Sequence, residues 1–314
     1  MISLTELLKS LYSMPLLRTQ RLLESSHPIR ESCISSHHDK LINPITLKSI
    51  RFSPLARMSP HEKHQGKEPK YELLYHPEIP GRGEYIRLVF EATGIPYSDI
   101  SNQEYNGYKK VQNLITEANP PAFAPPALLV HGEDYHGKPL VISQTSNILL
   151  YLGPKLGLVP EGDEIARYHV NGLAITALDF CSEAHDVHHP IDVERYYEQQ
   201  KEEAMKKAKA FTKRRIPKFF GYFETVLKEN KEGNGMYLVG KSLTYADTTL
   251  WQVLEGIEFA FPKTVAKISK TYPLLSFTFR GNIVEHKRLK EYLSSDRRLP
   301  FSMGIFRHYP ELDA

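Results

Sequence analysis

At 314 residues the chain has room for two domains, or for one domain and an appendage. No stretch approaches the roughly 20 apolar residues of a membrane span, so no membrane partner is expected. The formal net charge of +3 is uneven: residues 1–70 carry eleven Lys/Arg against six Asp/Glu, and the remainder twenty-nine against thirty-one. The near-neutral remainder offers no electrostatic footprint for nucleic acid.

Only Cys33 and Cys181 occur, which excludes a disulfide framework and suits a reducing, cytoplasmic setting. Residues 1–70 are rich in Ser, His, Pro and basic residues. Leu4, Leu7, Leu8, Leu11 and Tyr12 have the spacing of an amphipathic helix, and Arg18, Arg21, Arg30, Arg51 and Arg57 follow. Two readings stand: a mitochondrial presequence, if residues 1–57 are a genuine leader, or a disordered or over-extended segment with Met58 as the initiator. Glu6, Glu24 and Glu31 weigh against the leader, since such segments are poor in acid.

From Tyr71 the pattern predicts a strand over 71–76, a helix over 83–93, a strand near 97–101 and an irregular or helical stretch over 105–117. Strands at Ala127–Val130 and Pro139–Ile142 and a helix over 144–152 come next. Gly94 is placed to cap the first helix and Pro96 blocks its continuation. This is βαβ followed by ββα, a thioredoxin-like α/β domain over 71–157. Leu156 to Gly162 reads as a linker. The rest, 163–314, reads all-helical: long helices over 163–188 and 192–229, a break at KEGNG, then a helix whose Thr244 and Asp247 form a capping box. The aromatic tail PFSMGIFRHYPELDA is expected to dock.

The most informative segment is PPALLVHGEDYHGKPLVISQTSNILLYL, residues 125–152. A strand that runs into a helix opened by Ser143, Gln144, Thr145 and Ser146 is suited to receive a carboxylate. Unpaired backbone N–H groups and the helix dipole favour an anion there, and the side chains add directional hydrogen bonds. The competing reading is ordinary capping of that helix.

Pro126-x-Leu128 followed by Gln144-Thr145, Ile148 and Tyr151-Leu152 resembles the glutathione-binding half of the cytosolic glutathione transferases. Upstream, YELLYHPEIPGRGEYIRLVFEATGIPY is similar to that family's first strand, catalytic-tyrosine loop and first helix. The resemblance runs from about Tyr71 to the C-terminus and is to a fungal branch near the sigma- and pi-like, tyrosine-type classes. It implies a homodimer that uses glutathione as a cosubstrate with a small electrophile, with no resident cofactor or metal.

The resemblance also assigns residues. Pro126 should follow a cis peptide bond, and Gln144 and Thr145 should bind the γ-glutamyl carboxylate. Lys109 or Lys110 should hold the glycyl carboxylate. Asp179 should reach the γ-glutamyl amine across a dimer. Pro125 departs from the pattern, because a proline lacks the N–H that would pair with the cysteinyl backbone; the loss is worth about 1 kcal/mol.

Tyr75 is the expected catalytic group, with Arg82 as electrostatic support. A free thiol with a pKa of about 8.5 is barely ionised at pH 7, and two units of help require about 2.7 kcal/mol. One hydrogen bond to a charged acceptor supplies about 1.5–3 kcal/mol. Counted back from Gly81 and Arg87, however, the loop is one residue longer than the usual pattern, so His76 and Tyr85 stand as alternatives to a displaced Tyr75.

In DFCSEAHDVHHP, the spacing of His185, His188 and His189 could turn three imidazoles towards a metal on one helix face, with Asp186 or Glu183 nearby. Pro190 ends the helix there, and the preferred reading is a polar wall of the electrophile pocket. Cys181 reads as a packed small residue. Two rival functions remain open: a non-catalytic module on the same fold, which Pro125 and the longer loop would suit, and a glutathione-dependent isomerase.

Overall fold

A four-stranded sheet organises the first part of the described residues. The computed structural model describes residues 69–314. The expectations for the N-terminal segment, a leader or a disordered extension, lie outside the described residues.

Strands β1 (Tyr71–Leu74), β2 (Tyr97–Asp99), β3 (Ala127–Tyr135) and β4 (Lys138–Ser143) lie in the order β2-β1-β3-β4. β1 runs parallel to β2 and antiparallel to β3, and β3 pairs antiparallel with β4. Strand side chains alternate between faces. Accordingly Leu73, Leu128 and Val130 join the main core, whereas Leu74, Ala127 and Leu129 pack on the opposite face with Val111 and Ile115.

The helices of this half are α1 (Glu84–Thr93), the single turn α2 (Ile100–Gln103), α3 (Gly107–Glu117) and α4 (Thr145–Lys155). α1 ends as expected on Gly94, whose left-handed conformation (φ 73°) lets its N–H donate to the Phe90 carbonyl. The second strand is shorter than the sequence suggested. Residues 100–103 turn helical, and the Ser101 hydroxyl donates to the Tyr75 carbonyl. β3 is longer, continuing through a register shift between Val130 and Asp134.

The helical half comprises α5 (Glu164–His188), α6 (Lys201–Ala210), α7 (Ile216–Glu229), α8 (Tyr245–Ala260), α9 (Pro262–Ile268), α10 (Arg280–Glu285) and α11 (Lys287–Leu293). The helix expected from 192 begins only at Lys201. Gln200 replaces the missing turns: its side chain is buried, accepts the N–H groups of Ile191 and Asp192, and donates to the carbonyls of Asp192 and Arg195. Between α6 and α7, Phe211–Arg215 form a π-turn, so the two helices run on as one bent element.

α8 is buried on nearly every side from Tyr245 to Leu254, as a helix must be at the centre of a bundle. Its capping box is formed. Asp247 accepts from the Thr244 N–H and hydroxyl, both at 2.7 Å, and from the Leu238 N–H at 2.8 Å. The two halves share one continuous apolar core, from Tyr71 in β1 to Leu312 in the tail, and the described residues belong to one compact unit. The predicted boundary near 157–163 therefore marks a change of architecture rather than a gap between cores.

The tail docks as expected. Asp313 is buried and caps α9, accepting the N–H groups of Lys263 (2.6 Å) and Thr264 (3.0 Å). Phe306 lies so close over Gly256 that a β-carbon there would meet its ring at 2.2 Å.

One buried ionic cluster ties these parts together. Arg87 on α1 is fully buried; its Nε donates to Asp99 at 2.7 Å, and its Nη1 donates to Glu84 at 3.3 Å and to the Pro80 carbonyl at 3.1 Å. Glu84 is equally buried and also accepts from Tyr292 at 2.7 Å and from Arg298. The carboxylates hold the guanidinium charge even more firmly than usual, despite its burial. Removing one partner of such a set strands the others in a low dielectric. Arg87→Ala is expected to destabilise the fold by about 3–5 kcal/mol in chemical denaturation; a loss under 1 kcal/mol would show the cluster to be dispensable.

Candidate active site

The sheet register explains why distant residues meet. Leu74 pairs with Ala127, and Ala127 pairs with Ser143. The residues next to that row are Tyr75 after β1, Pro126 before β3 and Gln144 after β4, so all three sit at one end of the sheet. The peptide bond between Pro125 and Pro126 is cis, as expected.

Tyr75 is 5% exposed, with the Gly81–Gly83 turn folded directly over its ring. A β-carbon on Gly81 would meet the phenol oxygen at 2.2 Å, and one on Gly83 would meet the ring at 2.6 Å. The loop folds back onto the tyrosine. Glu78 takes a left-handed conformation (φ 61°), its N–H donates to Asn102 at 2.9 Å, and the loop still returns to the phenol. The Arg82 N–H donates to the Tyr75 oxygen at 2.7 Å. That bond occupies a lone pair and leaves the phenolic proton uncommitted among the described residues. Burial raises the pKa of the phenol, chiefly by desolvation, so it keeps its proton at neutral pH.

The alternatives to Tyr75 are placed differently. The His76 ring lies against both Tyr75 and Tyr108 on α3, 5.1 and 5.3 Å between centroids, and burial lowers its pKa. Tyr85 is fully buried near the Cys181 thiol, and its hydroxyl has no oxygen or nitrogen partner. Cys181 is packed as expected, and burial pushes its thiol up. The Arg82 guanidinium leaves the loop to donate to Ser182 on α5 at 2.9 Å, so it bridges the two halves beside the phenol.

Gln144 and Thr145 do not cap α4. Gln144 is the N-cap residue, yet its side chain makes no capping hydrogen bond, and its backbone sits at φ 73° and ψ 123°. That conformation is costly for a residue with a β-carbon and points to function rather than local stability. Thr145 is 3% exposed, and its buried hydroxyl has no partner. A buried hydroxyl left unpaired beside free helix N–H groups is suited to an anionic ligand.

The lysines separate. Lys110 is engaged with Glu72 at 3.3 Å and Glu104 at 3.2 Å, whereas Lys109 is exposed near the start of α3 and makes no ion pair among the described residues. Asp179 is exposed on α5, with no hydrogen bond among the described residues. Sequence reasoning missed the buried Glu84 and Asp99 that fix Arg87 and, through it, the Pro80 carbonyl. Neither stands out in the sequence, and only the i, i+3 spacing of Glu84 and Arg87 could have signalled part of the set.

The parallel-then-antiparallel sheet with its cis-proline, joined to a helical bundle, defines a thioredoxin-like domain fused to an all-helical domain. Solved structures of that architecture match. A pi-class glutathione S-transferase of Onchocerca volvulus is 22% identical, with a TM-score of 0.53, covering 71% of this chain and 91% of that one. A structure described as prostaglandin synthase D of Nilaparvata lugens is 21% identical, with a TM-score of 0.55, covering 74% and 100%. Residues 185–296 match the family of glutathione S-transferase C-terminal domains. Among proteins with assigned names, a glutathione S-transferase of Plasmodium falciparum (isolate 3D7) is 28% identical over 65% of this chain and 86% of its own length. Glutathione S-transferase P 1 of Xenopus laevis is 27% identical over 73% and 94%. The chain is thus similar to glutathione S-transferases over about two thirds to three quarters of its length, and its residues 185–296 match that family's C-terminal domain.

The close fit of the glycine turn generates a direct test. Gly81→Ala adds a β-carbon at φ 43° against the phenol oxygen, and the strain should cost about 1–3 kcal/mol. Denaturation combined with the near-ultraviolet tyrosine signal should report both the loss and a moved phenol; wild-type values in both would contradict this packing.

Proposed function

We propose that the protein is a glutathione transferase of the tyrosine type, in which the Tyr75 hydroxyl holds the glutathione sulfur as a thiolate for attack on an electrophilic carbon. The observation that carries the reading is the state of the phenol. Its oxygen accepts the Arg82 N–H while its own proton is free to donate, at the same end of the sheet as Pro126 and Gln144.

The tripeptide would lie extended beside β3. Its γ-glutamyl carboxylate would reach the Thr145 hydroxyl and the first N–H groups of α4. Lys109 is the better candidate for the glycyl carboxylate, because Lys110 already neutralises Glu72 and Glu104. The Pro125 carbonyl can still accept the cysteinyl N–H, but nothing at that residue can donate in return. Asp179 is free to meet the γ-glutamyl amine of a second subunit, and a homodimer is part of the proposal. The relatives from Plasmodium, Xenopus and Onchocerca lend a fungal branch no support; the pi-class names among them favour the tyrosine type.

In chemical terms, the buried phenol donates to sulfur as the thiol loses its proton to solvent. The carbon–sulfur bond then forms as the leaving group departs with its electron pair. Arg82 adds positive charge beside the developing thiolate and fixes the phenol through its backbone N–H.

Tyr75→Phe should lower kcat/KM with an aryl halide and glutathione by about 10–100-fold, the worth of one hydrogen bond to a charged acceptor. The rate should rise with pH as the thiol ionises, and in the mutant that rise should move up towards the free-thiol value of about 8.5. An unchanged rate and profile would remove Tyr75 from the mechanism. Thr145→Val should raise KM for glutathione by about tenfold with kcat nearly intact; an unchanged KM would exclude the hydroxyl as a ligand.

Pro125 favours one other reading, a binding module on this fold, because it removes a backbone donor from the tripeptide site. Retention on immobilised glutathione without turnover of any of several electrophiles would select that reading.

A further inference from the structure

Three histidines converge where α5 ends. The candidate ligand nitrogens of His185, His188 and His189 lie within 4.8 Å of one another, although His189 is already outside the helix. The ring centroids are 4.8–4.9 Å apart in all three pairs. The spacing alone suggested a cluster that Pro190 would disperse; instead the chain turns back and keeps His189 on its neighbours.

The hydrogen bonds select which nitrogens are free. His188 is 2% exposed, and its Nε2 faces the Ile305 carbonyl at 2.8 Å. A carbonyl only accepts, so that nitrogen carries the proton, and the buried Nδ1 is a bare lone pair without a partner. His189 faces the Arg195 carbonyl through Nδ1 at 3.0 Å, which leaves its Nε2 bare. The Gln200 amide nitrogen also lies 3.4 Å from that Nδ1, but its two protons go to the carbonyls of Asp192 (2.9 Å) and Arg195 (3.1 Å), so Nδ1 keeps its own proton for Arg195. No hydrogen bond among the described residues holds His185, whose ring is partly exposed and whose Nδ1 lies 3.9 Å from Asp186.

We propose that His185, His188 and His189 bind a borderline-soft divalent cation of the Zn2+ class, with a fourth position left for water. A ring that presents one nitrogen to a metal while donating the other N–H to a backbone carbonyl is the arrangement that metal-bound imidazoles use. Two of the three rings already have it. Three neutral imidazoles with no carboxylate in the set exclude Ca2+ and Mg2+, which require oxygen ligands.

Zn–N bonds of about 2.0–2.1 Å require nitrogens roughly 3.4 Å apart. The three nitrogens, within 4.8 Å of one another, must therefore draw closer on binding, and His185 is the ring that no hydrogen bond among the described residues holds. Arg307 and Arg82 oppose a cation electrostatically, and Asp186 beside His185 offsets part of that charge. Because His188 also holds Ile305, the ion would fasten the C-terminal tail to α5.

The experiment uses the full chain, freed of metal by a chelator and titrated with Co2+ as a spectroscopic probe for Zn2+. The fourteen histidines make a comparison with variants necessary. Wild type should develop visible ligand-field absorption that saturates at one equivalent and is displaced by Zn2+. His185→Gln, at a ring that bonds nothing, should weaken that signal at least tenfold, while His169→Gln, exposed on the same helix, should leave it intact. Circular dichroism of the metal-free forms checks folding. No visible spectrum up to millimolar Co2+, identical titrations of wild type and His185→Gln, or equal loss in His169→Gln would each overturn the proposal.

Discussion

Burial of Arg87 is the constraint on which the candidate site depends. A guanidinium removed from water needs both opposing charge and filled hydrogen bonds. Here Asp99 from the end of β2 and Glu84 from the first turn of α1 provide the charge, and the carbonyls of Pro80 and Ile79 share Nη1 with Glu84, while Nη2 has no partner among the described residues. Those carbonyls belong to the loop that closes over Tyr75. The same ion set therefore holds the first helix to the sheet and aims the Gly81–Gly83 turn at the phenol. Glu84 extends it to Tyr292 and Arg298, so the end of the helical half helps to fix a loop in the sheet half.

This coupling explains why the two halves share a core. Arg82 bridges to Ser182, and Phe301–Phe306 of the tail pass beside Pro80 and Gly81. The tail is itself anchored, with Asp313 capping α9 and Tyr309 stacked on Tyr197 at 3.9 Å. A sulfur placed beside Tyr75 would thus be enclosed by both halves. Such enclosure strengthens a phenol-to-thiolate hydrogen bond by lowering the local dielectric.

The binding end of the sheet follows a different logic. Gln144 is held in a left-handed conformation, and Thr145 keeps a buried hydroxyl unpaired. Each is unfavourable for the folded chain by itself. Both become intelligible when an anion completes the hydrogen bonding, which is how strain and unpaired polar groups come to gather at functional sites.

Much of this was legible in the chain because it rests on local rules. Short apolar runs bounded by turns placed β1 and β3, Gly94 stopped α1, Thr244 with Asp247 opened α8, and the family resemblance of Pro126 and Gln144-Thr145 marked the ligand end of the sheet. What local rules could not supply were pairings between residues far apart in sequence. Glu84 with Tyr292 and Arg298, Gln200 bonding Asp192 and Arg195 in place of a helical turn, and the His185–His188–His189 group tied to Ile305 each depend on packing. The sequence by itself determined which segments become strands and helices and which residue types border the sheet end, since short-range sterics and periodicity decide those. Only the tertiary structure decided which acids are buried, which nitrogen of each histidine stays bare and that the loop folds back onto Tyr75, because desolvation acts on groups only once distant segments have come together.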